Sequence, residues 1–411
     1  MRTSTEQRRQ FLAAANPAAA DEFADINWFH TVLLTVTPAL ALYGYLTTPL
    51  TWPTLVLAIV WYFATGLGIT AGYHRLFAHR AYQATNGVRA TLLAFGAAAF
   101  QGSAAWWCRA HVLHHRFTDT PKDPYNVHKG FWWAHLGWMI TQMDKSKWGK
   151  TNIAFLKNDP MVSFQHKHYV KIALTVGIVV PTLIGAAYGD AWGAFFYACM
   201  LRMVFVHHAT FFVNSLAHTV GAKPFSHLTS ASDSIITAVL TLGEGFHNYH
   251  HVFPSDYRNA IKYHQYDPTK WLIAFLSYFG LTYGLRRIDD EEIDRARDFV
   301  ATGCCHQPPQ DPALPPISVD LFRARVAAGE ALIVIEGTVY DVKPFALSHP
   351  GGYATVMNEV GKDATAAFRG EERSSDTSLN RHTQEARAIL KTLAIARLDG
   401  MYRLPVDHAS S

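Results

Sequence analysis

VRATLLAFGAAAFQGSAAWW, residues 88–107, admits two readings that lead to two different topologies. It is apolar and long enough to cross a bilayer, for which roughly 20 mainly apolar residues suffice. Histidines bracket it: HRLFAH at 74–79 lies before it and HVLHH at 111–115 after it. If the stretch crosses, the two histidine groups lie on opposite sides and cannot share a site. If the groups belong together, the stretch must enter the membrane boundary and return. The spacing favours a shared site. Positions i, i+3 and i+4 of a helix lie on one face. His111, His114 and His115 have that spacing, and so do His247, His250 and His251 in TLGEGFHNYHHVFP at 241–254. Residues 88–107 are therefore read as an interfacial or re-entrant helix.

Four other stretches read as membrane spans: about 30–48, 54–73, 170–189 and 191–213. They form two hairpins, joined by TPLTWP and YGDAW, and neither connection contains Lys or Arg. Arg75, Arg80, Arg89, Arg109, Lys122, Lys167, Lys171 and Arg258 all fall on the other side. The positive-inside rule then places the histidine-bearing segments and both termini in the cytosol. Arg202 falls inside the last span. An intramembrane arginine is costly, so it should face protein and pair with a carbonyl or an acid.

Composition agrees with a membrane protein. Of 411 residues, 49% are hydrophobic and 17% charged, and the net charge is only +4. A Lys/Arg-rich nucleic-acid arm is absent, so nucleic acid is not an expected partner. A mild basic excess suits anionic lipid or a phosphorylated small substrate. Cys108, Cys199, Cys304 and Cys305 show no C-x-x-C spacing, which suggests free thiols on a reduced, cytosolic face. The N-terminal sequence lacks the apolar core of a signal peptide, so membrane targeting should rest with internal segments.

After Arg286 the chain becomes charged, then proline-rich in CCHQPPQDPALPP, which reads as a linker. A small unit follows. Ser318 caps a helical SVDLFRARVAAG, IVIEGTVYDV reads as two strands turning at Glu336-Gly337, and two helical patterns close it. The expected division is 1–29, a cytosolic segment; 30–285, a membrane domain; 286–316, a linker; 317–400, the small domain; and 401–411, a tail.

A lone histidine in an apolar setting is usually a hydrogen-bonded core residue. Clusters at helical spacing on one side of a membrane point instead to metal. Thr210, Asn214 and His218 add a polar stripe to the last span. Nine imidazoles exceed what one tetrahedral zinc needs and suit two metal ions; imidazole favours zinc, copper, iron or nickel. The clusters contain no carboxylate, so the carboxylate-bridged di-iron pattern of helical bundles does not apply.

GITAGYHRLFAHRAY, HVLHHRFTDTPKDP, NSLAH and TLGEGFHNYHHVFP closely resemble the membrane acyl-CoA Δ9 desaturases of the stearoyl-CoA desaturase type, across about residues 27–285. The resemblance implies two irons held by His74, His79, His111, His114, His115, His218, His247, His250 and His251, with Asn214 contacting a metal-bound water. His135, His166, His168, His207, His208, His227 and His264 fall off these motifs and are read as structural. The implied reaction removes two hydrogens from a methylene pair of a fatty acyl-CoA, using O2 and two electrons. Gln101, Trp107 and Thr210 match positions lining the family's tunnel at its bend, and Arg109 and Lys167 match basic positions near the CoA head group.

Tyr62, Gly66, Thr70 and His74 recur every four residues along the second span. From His74 to Gly66 is about 12 Å at the helical rise, roughly the tail that a C18 chain oxidised at C9–C10 leaves beyond the metals. Tyr62 and Gly66 are therefore expected to close the acyl tunnel. A glycine serving helix–helix packing is the competing reading.

VYDVKPFALSHPGGYATVMNEVGKDATAAF resembles cytochrome b5, across about 317–400. The resemblance implies haem b, with His349 of HPGG as one axial ligand and the glycines making a tight turn. The second is expected at His382 in NRHTQEARAIL, since otherwise only His408 remains, in the tail. Two histidine ligands leave no open position, which implies electron transfer. A C-terminal unit of this kind resembles the fungal acyl-CoA desaturases. With no Gly-rich dinucleotide fingerprint in the chain, a separate cytochrome b5 reductase is the expected electron source.

The expected fold is an α-helical membrane protein. Four transmembrane helices in two hairpins carry a cytosolic His-rich helical cap, joined to a small α+β cytochrome b5-like haem domain. The expected function is an acyl-CoA Δ9 desaturase of the endoplasmic reticulum membrane, acting on stearoyl- or palmitoyl-CoA. The alternatives are a fatty-acyl or sphingolipid hydroxylase or acyl-lipid desaturase and, from another class, an electron-carrying membrane haem protein.

Overall fold

The apolar stretches become helices because nothing in lipid can satisfy a backbone amide except the segment's own carbonyls. The computed structural model describes residues 26–141, 151, 153–302, 314–346, 349, 353–369, 382 and 384–399. Cys304, Cys305, the linker's proline-rich core, the HPGG glycines, most of the N-terminal segment and the tail lie outside the described residues. Among the described residues four helices are long and apolar enough to span: Trp28–Thr47, Trp52–Ala78, Tyr169–Ala187 and Ala191–His218. Leu42, Leu46, Val56 and Phe205 are each more than half exposed on them, as lipid-facing side chains should be. The first span lies tightly along the fourth: a Cβ on Gly44 would stand 2.3 Å from Phe196. Thr51 donates to Asp190 at 2.9 Å, tying together the two connections that lack Lys and Arg.

The second and fourth spans run past the expected limits of 73 and 213, to Ala78 and His218. Hydropathy drops at Tyr73-His74-Arg75, yet the helix continues because these polar side chains have buried partners. Arg75 makes a bidentate pair with Asp267 at 3.0 and 2.9 Å and reaches Glu244 at 2.9 Å. Over Gly68–Ala78 the helix widens to π-type turns, and every residue there is buried. Such widened turns recur at functional sites.

Residues 88–107 do not span. A helix over Asn86–Ala98 enters, the chain reverses with Phe100 (φ 57°) and Gly102 (φ 92°) in left-handed conformations, and a second helix, Ala104–Phe117, leaves. The terminal carbonyls of the incoming helix need donors. Arg202 donates to Ala98 O at 2.8 Å, and His207 Nε2 bonds Ala99 O at 2.9 Å. Arg202 also donates to Gly177 O at 2.8 Å and Ala198 O at 3.1 Å, so the intramembrane arginine is satisfied wholly by carbonyls. HRLFAH and HVLHH therefore emerge on one side.

The cap closes when strand Thr282–Tyr283 pairs antiparallel with Gln83–Ala84, just beyond HRLFAH. The charged segment after Arg286, expected to begin the linker, forms a helix over Asp290–Thr302. Its Ile293 and Ala296 pack with Phe225, Tyr249 and Phe253, against the His247–Val252 helix.

The C-terminal unit has a four-stranded sheet in the order Pro316–Ile317, Ala394–Leu398, Thr338–Asp341, Leu332–Ile335. Its first pairing is parallel and the others antiparallel. Glu336 (φ 52°) and Gly337 (φ 78°) form the expected two-residue hairpin turn.

Candidate metal centre

The nine histidines converge as two groups. His74, His79, His111, His115 and His250 form one; His114, His218, His247 and His251 form the other. Within each group one ring nitrogen per residue lies within 4.8 Å of all the others. The nitrogens concerned face inward. His74 Nε2 and His250 Nε2 are 3.0 Å apart, His79 and His111 2.7 Å, and His115 and His250 3.0 Å. In the second group His218 and His247 are 3.1 Å apart, and His247 and His251 3.0 Å. The groups abut, since the His115 and His251 rings stack at 4.3 Å. Each helical i, i+3, i+4 triplet is split between the groups, giving two centres side by side.

Three of the opposite ring nitrogens face acids, directly or through a serine, and the histidine motifs by themselves assign those acids no role. His114 Nδ1 donates to both oxygens of Asp123, at 2.9 and 3.0 Å. His74 Nδ1 lies 3.0 Å from Glu244 Oε2. His218 Nδ1 bonds Ser230 Oγ at 2.7 Å, and Ser230 Oγ donates to Asp119 at 2.5 Å. Each acid favours a proton on Nδ1 and so leaves Nε2 bare, the arrangement that orients metal-binding histidines. His114 Nε2 is buried and has no hydrogen-bond partner among the described residues. Burial would raise the Glu244 carboxyl, but Arg75 and His74 outweigh it and hold it down at about 2. Burial, and then neighbouring imidazoles, push His79, His111, His115, His250 and His251 well below the ordinary histidine range, and His247 to about 3. Neutral imidazole is the form a metal requires. The donor set fits two imidazole-bound metals, with the carboxylates behind the histidines rather than bridging.

A largely apolar cavity runs from this centre between the second and fourth spans. His74, His111, His114 and His247 form its histidine end; Gly66, Ile69, Val206, Ala209 and Leu242 belong to its apolar wall. Thr70, Trp107, Thr210 and Asn214 also line it. Trp107 stacks on His111 at 4.9 Å. Gln101 acts from behind, donating to Thr210 at 2.9 Å. Tyr62 is not a lining residue; it packs at the edge of the main core. Arg109 and Lys167 stand exposed on two helices joined by the Ala104 N–Gln165 Oε1 bond of 3.1 Å.

The other histidines find separate partners. His135 bonds Ser215 and His208, His166 bonds Ser103, and His207 caps a helix end. His168 contacts Phe164, while His227 and His264 are exposed. In the C-terminal unit His349 and His382 face each other, with ring centroids 5.9 Å apart. Two metal–nitrogen bonds of about 2 Å plus two ring radii give about 6 Å. Phe368 O holds His382 Nδ1 at 2.9 Å, leaving Nε2 for a metal.

Residues 47–287 match the fatty acid desaturase family, and residues 320–399 match the cytochrome b5-like heme/steroid binding domain, which indicates haem. A probable acyl-CoA desaturase of Schizosaccharomyces pombe is 45% identical, covering 91% of this chain and 78% of that protein. Acyl-CoA desaturase 1 of Saccharomyces cerevisiae is 37% identical, covering 90% and 73%. The Delta(9)-fatty-acid desaturase fat-7 of Caenorhabditis elegans is 38% identical, covering 59% and 74%. With its paired histidine groups at the head of an apolar cavity, the chain belongs to the fatty acid desaturase family and carries a cytochrome b5-like domain at its C-terminal end.

Proposed function

We propose that this chain is an acyl-CoA Δ9 desaturase of the endoplasmic reticulum membrane, with both termini in the cytosol. It would place a cis double bond between C9 and C10 of stearoyl- or palmitoyl-CoA. The observation that carries the reading is one apolar cavity walled at one end by histidines of both groups. When bound there, two irons would supply the O2-dependent oxidation of an unactivated methylene pair. The protein's part is to hold, orient and keep dry. Nine imidazole nitrogens would hold the pair of ions, and Asn214, on the cavity wall one turn before His218, is suited to a metal-bound water. Asp123, Glu244 and the Ser230–Asp119 relay fix the rings of His114, His74 and His218. Thr210, braced by Gln101, and Trp107, braced by His111, shape the wall beside the centre. Arg109 and Lys167 are suited to the phosphates of CoA.

His349 and His382 would hold haem b, which would supply one-electron transfer, with a cytochrome b5 reductase as the electron source. A donor on the same chain raises its local concentration over that of a free partner. The test is gas chromatography of fatty acids from a desaturase-deficient host expressing the chain. Δ9-monounsaturated C16 and C18 acids are expected. A hydroxylated chain without an alkene would overturn the reaction. Haem iron without other metal in the purified protein would favour an electron carrier.

A further inference from the structure

The helix Asp290–Thr302 falls between the two stretches that match known families, which cover 47–287 and 320–399. The proposed chemistry gives it no task, yet it is firmly fastened. Ile293 and Ala296 are 2% and 1% exposed, packed in a cluster with Tyr249 and Val252 of the helix that bears His247, His250 and His251. Arg297 stands over the Phe225 ring at 5.1 Å. Just before the helix, Ile288 N and the Tyr249 hydroxyl donate to one oxygen, Asp256 Oδ2, at 3.0 and 2.7 Å. A segment that reads as linker in the sequence is therefore anchored to an element that supplies three of the nine imidazoles.

The same helix meets the C-terminal unit. Glu292 accepts from Lys391 Nζ at 3.2 Å, with the two side chains 15% and 42% exposed. Lys391 belongs to the helix Gln384–Thr392, which begins two residues after His382. Arg387, one turn earlier on the same face, lies over the Phe368 ring at 5.3 Å, and that ring stacks on His382 at 4.4 Å. Ala386 and Leu390 pack against the core of the unit. One short helix thus reaches the stacking partner of a haem-ligand candidate at one turn and the membrane domain at the next. The charges are complementary: Asp290, Glu291 and Glu292 fill the first turn of the receiving helix, and Lys391 lies in the last turn of the other.

We infer that the Asp290–Thr302 helix is the docking platform for this chain's own haem unit, with Glu292 receiving Lys391. The inference rests on the reading of that unit as electron donor to the paired histidine centre. An exposed ion pair contributes little between free partners, but on one chain the contact forms at high local concentration. A weak pair also suits a donor that must turn to a reductase between electrons. It biases the unit toward the helix bearing His247, His250 and His251 without fixing it there.

The experiment has two arms, both on the full chain with its haem, in detergent. A water-soluble carbodiimide joins a carboxylate to an amine only where they touch, with loss of water; peptide mapping by mass spectrometry should find Glu292 joined to Lys391. In the second arm the haem is reduced chemically and mixed rapidly with O2 and stearoyl-CoA, and its reoxidation is followed by absorbance. Glu292→Lys or Lys391→Glu removes an attraction and adds a repulsion of similar size, which should slow reoxidation about 2–30-fold. The two exchanges together restore an opposite pair and should bring back both the cross-link and a near wild-type rate, which a folding defect would not allow. No Glu292–Lys391 cross-link in wild type, unchanged reoxidation in both single variants, or no rescue in the double variant would each overturn the platform. A cross-linked wild type whose haem is reoxidised no faster with stearoyl-CoA than without would instead overturn the desaturase reading.

Discussion

Asp123→Asn isolates what a buried carboxylate contributes to this centre. Asp123 is 1% exposed, and all its acceptor capacity is used. Oδ1 accepts from His114 Nδ1 and Tyr125 N, at 2.9 and 3.0 Å; Oδ2 accepts from His114 Nδ1 and Asp119 N, at 3.0 and 3.1 Å. An asparagine keeps one acceptor and turns an NH2 toward the other side. One backbone N–H, of Tyr125 or Asp119, then faces a donor and stays buried and unpaired, which costs about 1–3 kcal/mol. Removing the charge also weakens the bias toward a proton on His114 Nδ1 and so the donor strength of Nε2. Loss of such a partner lowers metal affinity by about 10–100-fold, equivalent to about 1.4–2.7 kcal/mol. The assay is iron per protein, by mass spectrometry, after equilibration with a graded series of chelator concentrations. The variant should lose part of its iron at chelator concentrations about 10–100-fold below those needed for wild type, while the haem absorption of the C-terminal unit is unchanged. Wild-type iron retention across the whole series would refute the reasoning.

Other consequences are equally specific. Arg202→Met removes donors from the Ala98, Gly177 and Ala198 carbonyls and should cost about 2–5 kcal/mol; an unshifted thermal transition in detergent would contradict this. His382→Ala should abolish the haem absorption and leave non-haem iron in place. Desaturation should then recover when separate cytochrome b5 is supplied, and failure to recover would argue against a purely electron-carrying role for the unit. His207→Gln, whose amide can still donate to Ala99 O, should keep its iron, whereas His250→Ala should lose it; metal analysis of the two variants side by side separates a helix cap from a ligand.

Much of this molecule is written in local pattern. Apolar runs near the length of a bilayer gave the spans, because a backbone in lipid has no alternative to the helix. The i, i+3, i+4 histidines were visible because helical geometry puts them on one face whatever surrounds them. The Glu336-Gly337 turn was visible because few residue pairs suit its backbone. Asp119, Asp123 and Glu244 sat inside the very motifs that drew attention to the histidines, and still their task was hidden. Their spacing from the rings they hold follows no helical period; it is set by loops whose course only packing fixes.

Tertiary structure alone decided how the nine rings divide. Sequence groups them by triplet, yet each triplet is shared between two centres, because its three rings leave one helix face at different angles and meet rings from other helices. It also decided what meets Gly66. A repeat of four residues marked Tyr62 and Gly66 on one stripe of the second span, but that the space above Gly66 is filled by Leu242, far along the chain and in a left-handed backbone conformation (φ 56°), is announced by no sequence period. Sequence determines what a segment can be in isolation; which side chain occupies a shared volume depends on segments that meet only in the folded protein.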